Sequence, residues 1–402
     1  MSPSPPDVAR PDDASMVAAA EVLADVLETY HSTPPEELGV LVTRVAELAG
    51  AADCALFLQD YAQEVLLPLE PGDEHPLPID ASVAGEAFIA DEDREEPQGD
   101  RVRLWVPMLD GTDRMGVLRA TVDPSDAAAR WFCRRLAALA ALFLVSKGEN
   151  SDHFFLARRR RPMSLPAEMQ WHLLPALTVA TPRVAIAGVL EPAYAVGGDA
   201  FDYAINGDVA HVAIVDSMGH GLDASEMAAV AIGSYRHSRR QRYGLVDTHR
   251  ALDGVLSRQF GDDRFATAQL AELHLPTGEL RLLNAGHPAP LHVGPDGSSR
   301  AVPCSPALPV GLGPDGPPPI TTLTLEPGDR VLFFSDGVVE NRRPEGEPFG
   351  EERLREAFAR ECAAGRTASE TVRRLSRSFL ELHGGQTRDD ATWVLVEWRG
   401  PA

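Results

Sequence analysis

The sequence predicts an α+β protein of two domains, a smaller N-terminal α/β domain and a larger layered domain with mainly antiparallel sheets. Three observations carry this reading. A chain of 402 residues exceeds what one core usually organises. Strand-like and helix-like stretches come in runs, without the regular βαβ alternation of a parallel sheet. The pattern also changes at about Gln170, after an arginine run and a proline.

Residues 1–15 hold Pro3, Pro5, Pro6 and Pro11 and little to bury, so a disordered tail is expected. A helix follows from 15 to 31, with Val22, Leu23, Val26, Leu27 and Tyr30 at helical spacing, until Pro34-Pro35 breaks it. Leu38, Leu41, Val42, Val45 and Leu48 mark a second helix that stops at Gly50. Strands are expected at 54–58 and 65–69, the latter weakened by Pro68. A short helix at 82–90 leads to a charged loop at 91–100. Strands at 102–108 and 116–122 turn at Asp110-Gly111, and a long helix runs from 125 to about 150. Leu136, Leu139, Phe143 and Ser146 give it under two heptads of seam, enough to lean towards a homodimer but not to establish a coiled coil. The four arginines at 158–161 read as the solvated face of a linker.

Beyond Gln170, a helix ends at Pro175 and a strand occupies 184–190. The run at 209–216 is apolar and ends in Asp216; the turn Gly219-His220-Gly221 and helices at 222–242 and 246–260 follow. Residues 265–275 and 279–284 form a hairpin across Pro276-Thr277-Gly278. A turn at 284–288, a Pro/Gly-rich loop at 303–319 and a strand at 330–335 ending in Asp336-Gly337 come next. Two helices near 350–363 and 367–383 precede a last strand at 391–398, which begins just after Asp389-Asp390.

Composition excludes several classes. The net charge of −23 argues against general nucleic-acid or anionic-membrane binding. Cys54, Cys133, Cys304 and Cys362 are far apart, which gives neither a zinc pattern nor a disulfide framework. The start lacks the order of a signal peptide, and the longest apolar run is too short to span a bilayer, so a cytoplasmic protein is expected.

The chemistry sits in four acids. Asp216 and Asp336 each end an apolar strand, Asp389 precedes one, and Asp199 follows the pair Gly197-Gly198, which lets the backbone approach something closely. Any one of them is an ordinary turn residue. Four carboxylates drawn to strand ends are costly unless cations neutralise them, and hard oxygens without His or Cys favour Mg²⁺ or Mn²⁺.

Two resemblances follow. The stretch LPIDASVAGEAF at 77–88, with RVRLWVPMLDGTDRMGVLRA at 101–120, resembles a GAF domain over about 16–147. This implies a sensor with a possible small-molecule ligand; no NKxxFDE-type cyclic-nucleotide signature is present. A GAF domain that only dimerises or relays signals is the equal alternative. The segment 148–175 is then a helical linker.

QWHLLP (170–175), VGGDAFD (196–202), VDSMGHG (215–221), NAGHP (284–288), LPVGL (308–312), FSDGVVE (334–340) and DDAT (389–392) resemble, in family order, the PPM (PP2C-like) serine/threonine phosphatases of the SpoIIE/RsbU group. The resemblance implies an α-β-β-α sandwich over 176–400 and a two-metal site. Asp199 and Asp216 would hold metal, with Asp216 bridging two Mn²⁺ or Mg²⁺ ions. Ser217 would contribute its carbonyl, and Asp336 and Asp389 would complete the second ion's shell. Asp390 occupies a neighbouring position that is often Asn in the family. His220 is the nearest general-acid candidate, equally readable as a turn histidine. His287 is read as structural, and Asp202 as a support for the ligands or a helix cap. The implied substrate is a phosphorylated STAS-domain anti-anti-sigma factor, with the GAF domain regulating through the helix at 125–175. The alternative is a non-catalytic scaffold, or a GAF-driven dimerisation module with weak catalysis.

Overall fold

A computed structural model describes residues 21–401 apart from 23, 25, 71, 73, 125, 196, 262, 314, 315, 342–348, 385, 386 and 388. The expected tail at 1–15 lies outside the described residues. The chain divides into two units, Met1–Arg161 and Pro162–Ala402.

In the first unit a six-stranded antiparallel sheet has the order β3-β2-β1-β6-β5-β4. Its strands are β1 (Ala52–Gln59), β2 (Val65–Pro68), β3 (Leu77–Pro78), β4 (Arg94–Gln98), β5 (Arg101–Asp110) and β6 (Asp113–Val122). Helical residues within 21–30, α1 (Leu38–Leu48) and α3 (Ala127–Gly148) cover one face, where Val26, Leu38, Val42, Leu118, Phe132 and Leu136 are buried together. On the other face α2 (Val83–Ala90) packs Ala84, Ala87 and Phe88 against Phe57, Trp105 and Val117.

Two expectations for this unit are corrected. The charged stretch at 91–100 contains the edge strand β4, held by ion pairs of Glu96 with Arg103 (3.5 Å) and of Glu95 with Arg130. Charges and Pro97 suit an edge, where they discourage pairing with another chain. The arginine run is not a free solvated face. Arg158 donates from Nε to the Gln59 carbonyl (3.0 Å) and covers the Tyr61 ring, while Arg160 pairs with Glu64 and lies 3.6 Å from buried Asp60. The run therefore clasps the β1–β2 turn.

The expected linker at 148–175 is likewise divided. α4 (His153–Ala157) belongs to the first unit and α5 (Leu165–Leu173) to the second. The helix expected over 125–175 is thus three helices, α3, α4 and α5.

The second unit is the α-β-β-α sandwich. One sheet has the order β15-β12-β11-β10-β9, with β16 also on β12. It comprises β9 (Asp199–Asn206), β10 (Val209–Ser217), β11 (Ala266–His274), β12 (Glu279–Ala285), β15 (Pro306–Ala307) and β16 (Thr321–Thr324). The other has the order β14-β13-β17-β18-β8-β7, from β7 (Thr178–Ala180), β8 (Val184–Glu191), β13 (Leu291–Val293), β14 (Ser299–Ala301), β17 (Arg330–Phe334) and β18 (Ala391–Trp398). Among the described strand pairs only β12–β15 is parallel.

Side chains alternate along each strand, so each sheet has an inward and an outward row. The inward rows, including Phe201, Val212, Ile214, Leu282, Val331, Phe333, Val394 and Trp398, form the core between the sheets. The outward row of the first sheet, including Ala213, Val215 and Leu270, packs on α6 (Leu222–Arg240) and α7 (Leu245–Phe260). The outward row of the second, including Leu332, Phe334 and Trp393, packs on α9 (Glu351–Ala363) and α10 (Ala368–Leu382).

Candidate metal centre

The site grows out of the inward rows. On β10 the inward positions are Ala210, Val212 and Ile214, and the next is Asp216. Asp199 lies directly opposite Asp216 on β9, and Thr267 opposite it on β11. On β18 the row Trp398, Val396, Val394 continues to Thr392, and beyond β17 the row Val331, Phe333 continues to Ser335. At one end of the sandwich both sheets therefore change from apolar to polar, and the polar ends face each other.

Asp199 is almost wholly buried, and its Oδ2 accepts from the Ser335 hydroxyl (2.6 Å) and the Thr392 hydroxyl (2.7 Å). These charge-assisted bonds cross between the sheets and favour the ionised carboxylate. Burial, Asp216 and Asp390 outweigh them and push the Asp199 carboxyl well above the usual range. Asp216 is pushed up to about 8, first by burial and then by Asp336, Asp389 and Asp390. Burial also raises Asp336, with Glu340 and Asp389 adding to it, and Asp216 shares a hydrogen bond with Asp336. Both carboxyls are thus raised by burial and by neighbouring acids, as expected where like charges cannot all ionise.

Asp336 is the first residue of the short helix α8 (Asp336–Glu340), which starts where β17 ends. A Cβ on Gly337 would lie 1.8 Å from the Asp390 carbonyl, so glycine is what lets α8 abut the segment before β18. Gly198 has the same role at β9, where a Cβ would lie 2.4 Å from the Ser217 carbonyl. Gly198 and Ser217 are joined by a hydrogen bond from the Ser217 N–H to the Gly198 carbonyl (3.1 Å).

The structure separates the two adjacent acids. Asp390 is buried and accepts from the N–H groups of Gly197 (2.6 Å) and Asp199 (3.2 Å), so its oxygens hold the loop. Burial raises it to about 6. Asp389 is exposed, accepts the Asp390 N–H at 3.0 Å, and lines a cleft of about 390 Å³ with Gly197, His220, Gly221, Thr387 and Ser164. His220 is exposed at the rim, and Asp216 is half-buried beneath. The Ser217 hydroxyl is buried without a hydrogen-bond partner. Asp202 faces away from the carboxylates; it binds Arg236 (2.7 Å) and Arg239 (2.6 Å) on α6, so it is neither a helix cap nor a support for the ligands by contact.

Several residues with clear roles here were not singled out in the sequence, although Gln170 opens the motif at 170–175. Gln170 on α5 is buried and donates from Nε2 to the carbonyls of Gly197 (3.1 Å) and Asp199. Ser225 donates to the Gly197 carbonyl (2.6 Å). Ser335 and Thr392 fall inside the motifs at 334–340 and 389–392, but their role, like that of Thr267, is seen only by following the inward rows to their polar ends.

Among the described residues, no three His, Cys, Asp or Glu side chains form a ready-made ligand shell. What is present is a set of carboxylates that raise one another. The donors are all hard oxygens, and the charge conflict is what a divalent cation relieves, so the residues fit Mg²⁺ or Mn²⁺. Asp216, Asp336 and Asp389 have the free oxygens for it, and Asp199 lies alongside with Oδ2 already engaged.

Residues 206–399 match the family described as Stage II sporulation protein E (SpoIIE). Protein IcfG of Synechocystis is 25% identical over 284 residues, 63% of this chain and 41% of that protein. Phosphoserine phosphatase RsbU of Bacillus subtilis is 22% identical over 243 residues, 58% of this chain and 69% of that protein. The chain thus spans less than half of IcfG. A crystal structure of RsbU and RsbW domains from Mycobacterium tuberculosis is 28% identical with a TM-score of 0.48, covering 55% of this chain and 63% of that one. The relatives of this chain thus include the SpoIIE family, matched over 206–399, and a protein named as the phosphoserine phosphatase RsbU.

Proposed function

We propose that the second unit removes phosphate from phosphoserine or phosphothreonine in a protein, using two Mn²⁺ or Mg²⁺ ions held by Asp199, Asp216, Asp336 and Asp389. The observation that carries this is the clustering of acids at the polar end of the sandwich: Asp199 stands opposite Asp216 in register, and Asp336 and Asp389 lie close enough to raise the Asp216 carboxyl. Bound cations supply Lewis-acid neutralisation of phosphoryl charge and activation of water. The chain's own residues do the rest. Asp390 and Gln170 hold the loop that positions Asp199. Ser335 and Thr392 keep the Asp199 carboxylate oriented across the sheets. His220, at the cleft rim beside Gly197, would give a proton to the departing serine or threonine oxygen.

The substrate in this reading is a phosphorylated STAS-domain anti-anti-sigma factor, supported by the relative named as the phosphoserine phosphatase RsbU. The first unit is a GAF-type regulator, supported by the motifs at 77–88 and 101–120 and by connectivity alone: the chain leaves it directly into α5, which carries Gln170. Incubation with a phosphorylated STAS protein, with and without Mn²⁺, tests the reading. Metal-dependent release of phosphate that Asp216→Asn abolishes is expected; metal-independent release, full activity in the variant, or no release by the wild type refutes it and leaves the scaffold alternative.

A further inference from the structure

We infer that His287 is a positioning residue for the carboxylate site: from the turn that leads into β13, the strand paired with β17, its ring holds Thr267, which faces Asp216, and so helps to set the spacing of Asp216 and Asp336. The inference rests on the phosphatase reading above.

The geometry begins with Thr267, which faces Asp216 in register across β10 and β11. Its Oγ1 lies 2.7 Å from Nδ1 of His287. The ring is 5% exposed, and its other nitrogen, Nε2, is buried without a hydrogen-bond partner. The chain running on from His287 enters β13, which pairs with β17 with Leu291 opposite Leu332, so the turn lies beside the end of β17. Phe334 is the last residue of β17, two before Asp336. The turn therefore stands between two elements that deliver acids from different sheets.

The turn that presents it is held on every side. The His287 N–H donates to Asn284 Oδ1 (2.8 Å), Asn284 Nδ2 donates to the His287 carbonyl (2.8 Å), and Gln269 Nε2 donates to the Pro288 carbonyl. Burial pushes the imidazole down to about 3, so the ring is neutral at any working pH. A neutral ring has one accepting and one donating nitrogen. With Nδ1 accepting from the Thr267 hydroxyl, Nε2–H becomes a buried donor without a partner. A buried donor left without a partner calls for an explanation, because such groups are rare. An ordinary core position would carry an apolar residue; a strut that holds Thr267 needs Nδ1 as an acceptor, which puts the proton on Nε2.

The test uses the full chain, calorimetric titration with MnCl₂, and hydrolysis of p-nitrophenyl phosphate. Thr267→Val removes the hydroxyl and keeps the shape. His287→Gln keeps a donor near Nε2 and loses the Nδ1 acceptor. His287→Asn keeps an acceptor near Nδ1. Thr267→Val and His287→Gln are each expected to weaken Mn²⁺ binding about tenfold and to lower kcat with KM little changed, the double variant being no worse than either single one. His287→Asn is expected to restore part of the affinity. Should His287→Gln fail to fold, Thr267→Val decides alone. Folded variants that bind Mn²⁺ like the wild type overturn the inference and leave the phosphatase reading standing. A wild-type chain that binds no Mn²⁺ overturns both.

Discussion

Without divalent metal, the second unit is expected to lose stability as the pH rises from about 5 to about 8, the opposite of the usual effect of salt-bridged acids. The sign follows from Asp216. Its carboxyl moves from 3.8, the value expected in an unfolded chain, to about 8 in the fold. Between those values the native state binds the proton and the unfolded state does not. The stabilisation is complete below the lower value and is lost as the pH passes the upper one. A shift of about 4 units corresponds to roughly 5 kcal/mol for one group acting alone. Asp199 and Asp336 are raised partly by the same neighbours, so their protons are shared with that of Asp216 rather than added to it. Asp216→Asn removes this step: the metal-free variant is expected to be less pH-dependent and, at about pH 8, more stable than the wild type. Mn²⁺ competes with the same protons, so its stabilisation, about 2.7 kcal/mol at a hundredfold excess over its Kd, should grow with pH. Scanning calorimetry of the full chain in chelator, followed at several pH values, reads all three. Stability that is flat or rising over this window, or an Asp216→Asn variant with the wild-type profile, refutes the reasoning.

Asp389 and Asp390 should separate cleanly. Asp390→Ala removes the acceptor of the Gly197 and Asp199 N–H groups and is expected to cost about 2–4 kcal/mol by urea denaturation, with part recovered in Asp390→Asn. Asp389→Asn, at an exposed position, should leave the urea midpoint within about 0.5 kcal/mol and abolish metal-dependent phosphate release. Gly198→Ala would place a Cβ 2.4 Å from the Ser217 carbonyl and 3.2 Å from Ala224 Cβ. It is expected to lower stability by about 1–3 kcal/mol and to lose activity, as the strand carrying Asp199 is forced from β10; an unchanged urea midpoint would refute that close approach.

What was legible in the sequence was what repeats locally. The apolar run before Asp216 marks β10, and the acid falls on its inward row because the period of a strand is two. The same logic gave the hairpin of β11 and β12 and the helices α6 and α7. The edge strand β4 was hidden because REEPQ has no apolar alternation; its partners Arg103 and Arg130 are supplied by β5 and α3. The arginine run was misread for a related reason. Its character depends on the Gln59 carbonyl and on Asp60 and Glu64, about a hundred positions earlier, and no local pattern reports that. Asp390 is simply the neighbour of Asp389 in the sequence, and only the Gly197 and Asp199 N–H groups reveal it as a clamp.

The support for Asp199 shows why the rest could not be read locally. Its two hydroxyl donors come from Ser335 and Thr392, 136 and 193 positions away, and both belong to the opposite sheet. Asp199 and Asp216 come from one sheet, while Asp336 and Asp389 flank strands of the other. The acids therefore meet only while the two inward rows stay packed. Those rows are Phe, Val, Ile, Leu and Trp over most of their length and turn polar in the last step. Burying the apolar part stabilises the sandwich and holds the carboxylates together against their own repulsion. Core and site are thus consecutive positions of the same strands. A loosened core at Phe201, Ile214, Phe333 or Val394 would release the acids before it unfolded the sheets, and metal binding would tighten that core in return.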